Sequence, residues 1–287
     1  MADASPAAPP VRLAIVAHPD DETIGLSTRL AEWGATAHVL TITDGAPRDR
    51  RAYERHGFAR REDYAAARAA EQLAALAIAG VAAEHCQRLE IVDQDAALHL
   101  PEIARRIAAR VDSLSPEMVF THSYEGGHPD HDATACAVRL ALDLLARDGG
   151  SRPLLEFPAY RADLDDAPPA ALADPPRPAS QRRASVAFRF LPGGPPETTV
   201  VLSSRERERK RRMYACYRTQ SLEGFFTPDV ERYRLAPRYD FTRPPHPGLL
   251  HYEKHAYEIR GDRFRALCAQ ARAALLGAAQ GAGSARI

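Results

Sequence analysis

The sequence has little that would mark a membrane protein, a nucleic-acid-binding protein or a disulfide-rich protein. Lysine plus arginine and aspartate plus glutamate each number 38, so the formal net charge is 0 and no overall field attracts nucleic acid or an anionic membrane. No apolar run approaches the roughly 20 residues that a membrane-spanning helix needs. The four cysteines are scattered without a C-x-x-C pair, which favours buried thiols in a reducing compartment.

The N-terminus also lacks the pattern of a secretory leader. Residues 1–10 are rich in alanine and proline, without a basic start before an apolar run, so we expect no signal peptide. These features predict a cytoplasmic protein without a nucleic-acid or membrane partner. The oligomeric state is left open, with a homo-oligomer as one alternative.

The first half of the chain has the pattern of a mainly parallel α/β sheet. Short apolar runs alternate there with helical periods, which is typical of βαβ units. Strands are predicted at residues 11–17, 36–43, 88–92, 117–122 and 153–160. Helices are predicted at residues 23–33, 60–79, 101–114 and from 133 to the glycines at 149 and 150.

The second half predicts a small mixed extension of the same domain. Residues 162–180 are rich in proline, alanine and aspartate without a period, so we expect a surface loop or lid there. Strands are predicted at 185–191 and 198–202, a serine-capped helix at 203–217, an irregular aromatic-rich stretch at 218–247 and a last helix at 262–276.

The residues from 17 to 22, Ala-His-Pro-Asp-Asp-Glu, follow the first predicted strand and lead into the first helix. One imidazole, His18, and three carboxylates, Asp20, Asp21 and Glu22, therefore lie at a strand's carboxyl end, where open α/β sheets bind ligands. His18 and Asp21 could supply two of the three protein ligands of a catalytic zinc ion. The alternative is that the carboxylates only complement the dipole of the helix.

A second cluster favours the metal site. His128-Pro129-Asp130-His131-Asp132 follows the strand predicted at 117–122, so both clusters reach the same edge of one parallel sheet. Gly126 and Gly127 permit a tight approach of the backbone. Three metal ligands, a free carboxylate and a free imidazole can be drawn from the two clusters, which is what a metal-assisted hydrolase needs.

These two motifs resemble those of the LmbE-like, or PIG-L, family of zinc-dependent deacetylases, which remove acyl groups from N-acetylglucosamine-type amino sugars. The resemblance extends from about residue 11 to residue 257 and is weaker after residue 161. It implies a Rossmann-like three-layer α/β/α fold and a metal-dependent amide hydrolase that acts on an N-acetylglucosamine-type amino sugar or its conjugate. Zinc is the implied metal, with iron(II) as the alternative because histidine and carboxylate ligands suit both.

The resemblance also implies a role for each motif residue. The metal ligands would be His18, Asp21 and His131. Asp20 would be the general base that takes a proton from the attacking water. His128 would stabilise the oxyanion and protonate the leaving amine, and Asp130 would orient His128.

Weaker matches suggest how the sugar is bound. Arg68 and Glu71 resemble the family's Arg-x-x-Glu, whose arginine commonly faces the sugar, although an i,i+3 ion pair is an equal alternative. Asp93 resembles an aspartate that binds sugar hydroxyls, or it is a turn residue. Residues 216–220 resemble a family segment near the pocket. The chain departs from some members at Gly126, where they carry a tyrosine that helps to hold the oxyanion.

We therefore predict a single catalytic domain at 11–276, made of a Rossmann-like part at 11–160 and a C-terminal extension at 161–276. A disordered tail at 1–10 and a flexible tail at 277–287 flank it. One alternative function is an amidase that cleaves a thiol–sugar conjugate. Another is a non-catalytic Rossmann-like module that binds through the basic residues 205–212, but no G-x-G-x-x-G follows the first strand, and the alternating charges of 205–212 favour a solvated helix face.

Overall fold

The computed structural model describes residues 10–147, 149–150, 152–162, 186–255 and 257–277. The predicted tails at 1–10 and 277–287 and the Pro-rich loop at 162–180 lie outside this part, apart from the edge residues Pro10, Ala162 and Gly277. None of the described helices is long and apolar enough to cross a membrane.

The strands of the described residues form one large sheet and a small ribbon. They are β1 Arg12–Val16, β2 Ala37–Pro47, β3 Cys86–Asp93, β4 Met118–His122, β5 Leu154–Phe157, β6 Arg161–Ala162, β7 Val186–Ala187, β8 Glu197–Val201 and β9 Val230–Leu235. The large sheet has the order β3-β2-β1-β4-β5-β9-β8. Its first five strands in chain order are parallel, and β9 and β8 complete it in antiparallel pairing. β6 and β7 form the ribbon.

Helices cover both faces of the large sheet. They are α1 Asp21–Trp33, α2 Arg50–Glu54, α3 Arg61–Ile78, α4 Leu100–Leu114, α5 Pro129–Arg147, α6 Ser204–Tyr214, α7 Leu222–Phe225 and α8 Gly261–Leu276. Side chains of a strand alternate between the faces, so Leu13 and Ile15 pack with α4, α5 and α8. Ala14 and Val16 pack with α1, α3 and α6 on the other face. The predicted three-layer α/β/α fold is confirmed.

Part of the second half differs from the prediction. The stretch at 218–247, predicted to be irregular, contains α7 and β9. β9 carries Glu231 and Arg234. These charged residues interrupt the alternation of apolar and polar residues by which a half-buried strand is recognised in a sequence. Both are nonetheless buried, because Arg234 pairs with Glu156 at 2.8 Å and Glu231 pairs with Lys210 at 2.8 Å. Of the described part of the strand predicted at 185–191, only residues 186–187 form a strand.

α6 begins at the predicted serine cap. The Ser203 hydroxyl accepts the Glu206 amide, and the Glu206 carboxylate accepts the Ser203 amide at 2.7 Å, which is a capping box. The expectation of a solvated helix face is wrong for Lys210, which is 0% exposed. Its Nζ atom donates to the Ile24 carbonyl at 2.7 Å and to Glu231. Lys210 therefore ties α6 to α1 and β9.

Candidate active site

The carboxyl ends of β1, β3 and β4 bring together the residues that the two sequence motifs indicate. The loop after β1 carries His18 and Asp20, β3 ends at Asp93, and the loop after β4 leads to His128 and His131. All of the predicted site residues except Asp130 line one cavity of about 450 Å³. Asp130 lies directly behind that cavity, against His18.

Three of these side chains direct ligand atoms at one another. The Nδ1 atom of His18 lies 3.2 Å from Nε2 of His131 and 3.3 Å from Oδ2 of Asp21. The same Nε2 atom of His131 lies 3.3 Å from Oδ1 of Asp21. Ligands at 2.0–2.2 Å from a tetrahedral zinc ion are about 3.4 Å apart. The spacing of the three side chains is therefore compatible with one bound metal ion.

The segment from Ala17 to Asp21, which holds two of these candidate ligands, has an unusual conformation. The backbone amide of His18 donates to Asp21 Oδ2 at 2.7 Å, and the Thr43 hydroxyl donates to the Ala17 carbonyl at 2.8 Å. Asp20 has a φ of 152°, which residues other than glycine rarely adopt and which costs free energy. Such strain in a residue is typical of a functional site.

The electrostatics of the site favour a cation. Burial lowers the pKa of His18, but the carboxylates of Asp93, Asp130 and Asp21 more than offset it and hold the pKa well above its ordinary value. Nε2 of His18 lies 3.4 Å from Asp93 and 3.3 Å from Asp130. Carboxylates that contact the far nitrogen of a ligand imidazole are usual at metal sites. The residues therefore fit a divalent ion such as zinc or iron(II).

Neighbouring side chains give overlapping sets with ligand-like spacing. Those sets are His18–His128–His131, Asp21–His122–His131 and His18–Asp93–Asp130. His122 is poorly suited to bind a metal because its Nε2 atom accepts the Ala17 amide at 3.0 Å. Its ring stacks on His131 at a centroid distance of 4.2 Å. His122 therefore packs against the candidate ligand His131 and supports its ring.

Asp20 lies beside the three candidate ligand residues and is held by Arg68. A guanidinium nitrogen of Arg68 is 3.0 Å from Asp20 Oδ2, and Arg68 also donates to the Gly45 carbonyl at 2.5 Å. Burial raises the pKa of Asp20 to about 7, and Arg68 opposes that rise. The alternative partner, Glu71, accepts from the amide and hydroxyl of Thr219 instead of from Arg68 among the described residues.

His128 and Asp130 are arranged differently from the expectation. The ring of His128 is edge-on to the ring of His18, with a centroid distance of 4.5 Å. Its Nδ1 atom accepts a hydrogen bond from the backbone amide of Asp130 at 3.2 Å. The Asp130 carboxylate instead accepts the amides of Gln94 at 2.6 Å and Ala96 at 3.1 Å. The Asp130 carboxylate therefore contacts His18, and Asp130 contacts His128 through its backbone amide and not, as was expected, through its carboxylate. The reason is that its position in the first turn of α5 directs it at β3 and the loop that follows.

The glycines before His128 allow a close crossing of two loops. A Cβ atom at Gly127 would lie 1.7 Å from the carbonyl oxygen of Tyr160. Gly126 has a φ of 73°, and a Cβ atom there would lie 2.8 Å from Leu250. The tyrosine that some family members carry at this position would therefore not fit here. Asp132 Oδ1 fixes the loop by accepting the Gly126 amide at 3.1 Å.

Other tyrosines line the cavity in its place. Tyr124 is not one of them, since its hydroxyl donates to the Arg243 carbonyl at 2.7 Å away from the cavity. The ring of Tyr160 is edge-on to His131 at 5.4 Å, and the ring of Tyr257 is edge-on to His128 at 5.0 Å. Tyr160 and Tyr257 both line the cavity.

A buried network beneath the cavity is not evident from either motif. Glu22 is 0% exposed and accepts from the Tyr217 hydroxyl at 2.8 Å and from Gln72 at 3.0 Å. Burial raises the pKa of Glu22 to about 7, against the opposing effect of these hydrogen bonds. In the sequence, the resemblance of residues 216–220 to a family segment near the pocket is the one indication that Tyr217 lies close to the site. His251 and His255, whose Nε2 atoms are 3.3 Å apart, also line the cavity.

Comparison with known proteins finds a family model that matches the part of the chain that holds this site. The family model described as PIG-L, GlcNAc-PI de-N-acetylase, matches residues 13–142. No match is found among curated protein sequences.

Similar solved structures share the fold. The A40926 pseudoaglycone deacetylase has a TM-score of 0.55 at 23% identity over 80% of this chain and 99% of that one. A zinc-inhibited form of a teicoplanin deacetylase has a TM-score of 0.54 at 20% identity over 77% and 96%. The N,N′-diacetylchitobiose deacetylase of Pyrococcus horikoshii has a TM-score of 0.50 at 16% identity over 79% and 83%. The family match over residues 13–142 includes His18, Asp21 and His131, so the chain is similar to the PIG-L family over the part that holds this site.

Proposed function

We propose that this protein is a metal-dependent amide hydrolase that removes the acetyl or another acyl group from an N-acetylglucosamine-type amino sugar or its conjugate. The observation that carries the proposal is the convergence of ligand atoms from His18, Asp21 and His131 beside Asp20 in one cavity. The family model supports it, since its description is that of a de-N-acetylase. We place the activity in the cytoplasm.

His18, Asp21 and His131 are the side chains that would hold the ion, zinc or iron(II). When bound, the ion supplies Lewis acidity at the amide carbonyl. The carboxylates of Asp93 and Asp130 hold the imidazole of His18 in place from behind.

The other residues move protons and bind the sugar. Asp20, held by Arg68, takes a proton from the water whose oxygen bonds to the amide carbon. His128 delivers a proton to the amide nitrogen, so that the C–N bond breaks and the amine leaves. The side chains of Arg68 and Asp93, which line the cavity, bind the sugar hydroxyls.

The metal requirement is tested on the purified protein. We expect about one equivalent of bound divalent metal, and loss of that metal in His18→Ala and His131→Ala because each variant removes a ligand. His99→Ala is the matched control and should keep the metal, because His99 lies beside Glu102 and does not line the cavity. Elemental analysis gives the metal content. Protein without stoichiometric metal whose activity survives a chelator would rule the proposal out.

The proton role of Asp20 separates catalysis from metal binding. We expect Asp20→Asn to keep the metal but to lose turnover by about 10² to 10⁴-fold, the usual contribution of a general base. Amine release from N-acetylglucosamine and diacetylchitobiose is the measurement. Asp112→Asn, at an exposed position of α4, is the control. Near-normal turnover of Asp20→Asn would remove Asp20 from this role.

A further inference from the structure

Exposed rings gather at the rim of the active-site cavity. Among the large hydrophobic side chains that are exposed in the described residues, the aromatic ones are Phe188, 38% exposed, and Phe225, 49% exposed. Their ring centroids are 5.5 Å apart, and Phe226 lies 5.2 Å from Phe188 and 4.8 Å from Phe225. An exposed apolar cluster of this kind beside a polar cavity is typical of a surface that a ligand covers.

The aromatic cluster reaches the ligand residues through Tyr160. The ring of Tyr160 lies 5.4 Å from that of His131 and 5.9 Å from that of Phe225. Tyr160, Phe225 and Phe226 line the same cavity as His131. An apolar wall therefore runs from the imidazole of His131 outward to Phe188.

A second cavity continues this wall. It has a volume of about 250 Å³ and shares Ile24 and Phe226 with the first cavity. Phe188 and Tyr214 also line it. Glu231 and Arg232 line it as well, so a flexible chain that leaves the active site along Phe226 would meet the rings of Phe188 and Tyr214 beside polar groups.

The polar wall lies beside the other ligand residue. Asp93 is 3.4 Å from Nε2 of His18, and Arg68 is 3.0 Å from Asp20. Hydrogen-bonding groups on that side suit sugar hydroxyls, and the rings beside His131 suit hydrocarbon. An amide cleaved between the two walls would place its sugar on the polar side and its acyl substituent on the aromatic side.

We propose, resting on the function proposed above, that the acyl group removed is an apolar chain or ring larger than acetyl, bound against Tyr160, Phe225 and Phe226. The single methyl group of an acetyl substituent is too short to cover rings that extend from His131 to Phe188. The wall therefore selects the acyl group, while the polar side selects the sugar.

The test is a series of N-acyl glucosamines from acetyl through butanoyl and hexanoyl to octanoyl, assayed by release of glucosamine. We expect kcat/KM of the wild-type enzyme to rise by up to about fourfold per added methylene, the value of burying one such group. Phe225→Ala should flatten this rise, and Phe225→Leu, which keeps an apolar side chain, should restore much of it. Leu235→Ala is the control, because Leu235 is 62% exposed and lines neither cavity.

The outcomes separate this proposal from the function on which it rests. Acetyl hydrolysis without a gain from longer chains would overturn the proposal and leave the deacetylase function standing. A gain that Phe225→Ala and Phe188→Ala both leave intact would also overturn it. Failure to hydrolyse any member of the series, with metal bound, would overturn the function and the proposal together.

A second arm tests the other apolar occupant of the wall, an aglycone on the sugar. Octyl N-acetylglucosaminide carries its hydrocarbon on the anomeric oxygen and only an acetyl group on nitrogen. We expect Phe225→Ala to have little effect on the hydrolysis of this glycoside relative to methyl N-acetylglucosaminide. A larger loss for the octyl glycoside than for N-octanoyl glucosamine would assign the wall to the aglycone and overturn the proposal.

Discussion

Lys210 is one of two lysines in the chain. Its side chain is buried, so its charge needs an anionic partner inside the protein. Its Nζ atom is 2.8 Å from the carboxylate of Glu231. The Ser27 hydroxyl donates to the same carboxylate at 2.6 Å, and the Thr28 amide donates to it at 3.1 Å. The pair joins α1, α6 and β9, so it holds the helix α1, which begins at Asp21 directly after the loop that carries His18.

We expect Lys210→Met to destabilise the protein by about 3–5 kcal/mol, because it leaves the Glu231 carboxylate buried without its cation. The double variant Lys210→Met with Glu231→Gln should recover part of that loss, since no uncompensated charge remains. Urea denaturation followed by Trp33 fluorescence measures both. Lys254→Met, at an exposed position, is the control. A loss below about 1 kcal/mol for Lys210→Met would contradict this account.

At the scale of single residues, the sequence predicts side chains that lie in motifs and misses those that meet only in three dimensions. His18, Asp20, Asp21, His128 and His131 were predicted together because they follow strands of one parallel sheet. The contact of Glu22 with Tyr217 joins residues 195 positions apart, and no local pattern indicates it. The partner of Asp130 was missed because adjacency in the motif suggested His128.

At the scale of elements, the loop from Glu125 to His128 is fixed by buried carboxyl groups. Glu125 Oε1 accepts the Ala159 amide at 2.9 Å, and the Ser123 hydroxyl contacts Oε2 at 2.8 Å. Burial raises the pKa of Glu125 to about 8, against the opposing effect of these hydrogen bonds. The protonated carboxyl group can donate to Ser123 and accept from Ala159, as a glutamine amide would.

We expect Glu125→Gln to fold normally and to reduce the dependence of stability on pH. The folded protein keeps the Glu125 proton up to about pH 8, whereas the unfolded chain releases it near 4.5. The folded state binds more protons in this window, so the free energy of unfolding falls as pH rises, by up to about 1.4 kcal/mol per pH unit.

Urea denaturation of both proteins across that window is the measurement. The slope should be shallower for Glu125→Gln than for the wild type, and unchanged for the exposed control Glu84→Gln. Equal slopes for the wild type and Glu125→Gln would show that Glu125 is ionised throughout. The other buried acids cancel in the comparison because they are present in both proteins.

At the scale of the whole molecule, the large sheet continues from the first half of the chain into the second. Parallel strands are buried on both faces and read as apolar runs, which is why β1 to β5 were predictable. β9 was not, since its buried charges at Glu231 and Arg234 resemble those of an exposed loop. β9 pairs with β5 through Leu155 and Leu235, so the prediction of a single domain at 11–276 has a physical basis in this pairing.

We expect a chain that ends at residue 160 to lose its fold. It would lack the strand that pairs with β5, and it would expose the apolar face of α1 on which Met213, Tyr214 and Tyr217 pack. Trp33, the one tryptophan, packs against Phe120 at 5.0 Å, so its fluorescence reports the fold of the first half. In the shortened chain its emission should shift toward that of the unfolded protein, with strong binding of a hydrophobic dye.

A control chain that ends at residue 277 keeps every described element and should melt like the full chain. Cooperative unfolding of the shortened chain would instead show that residues 11–160 are a separate domain.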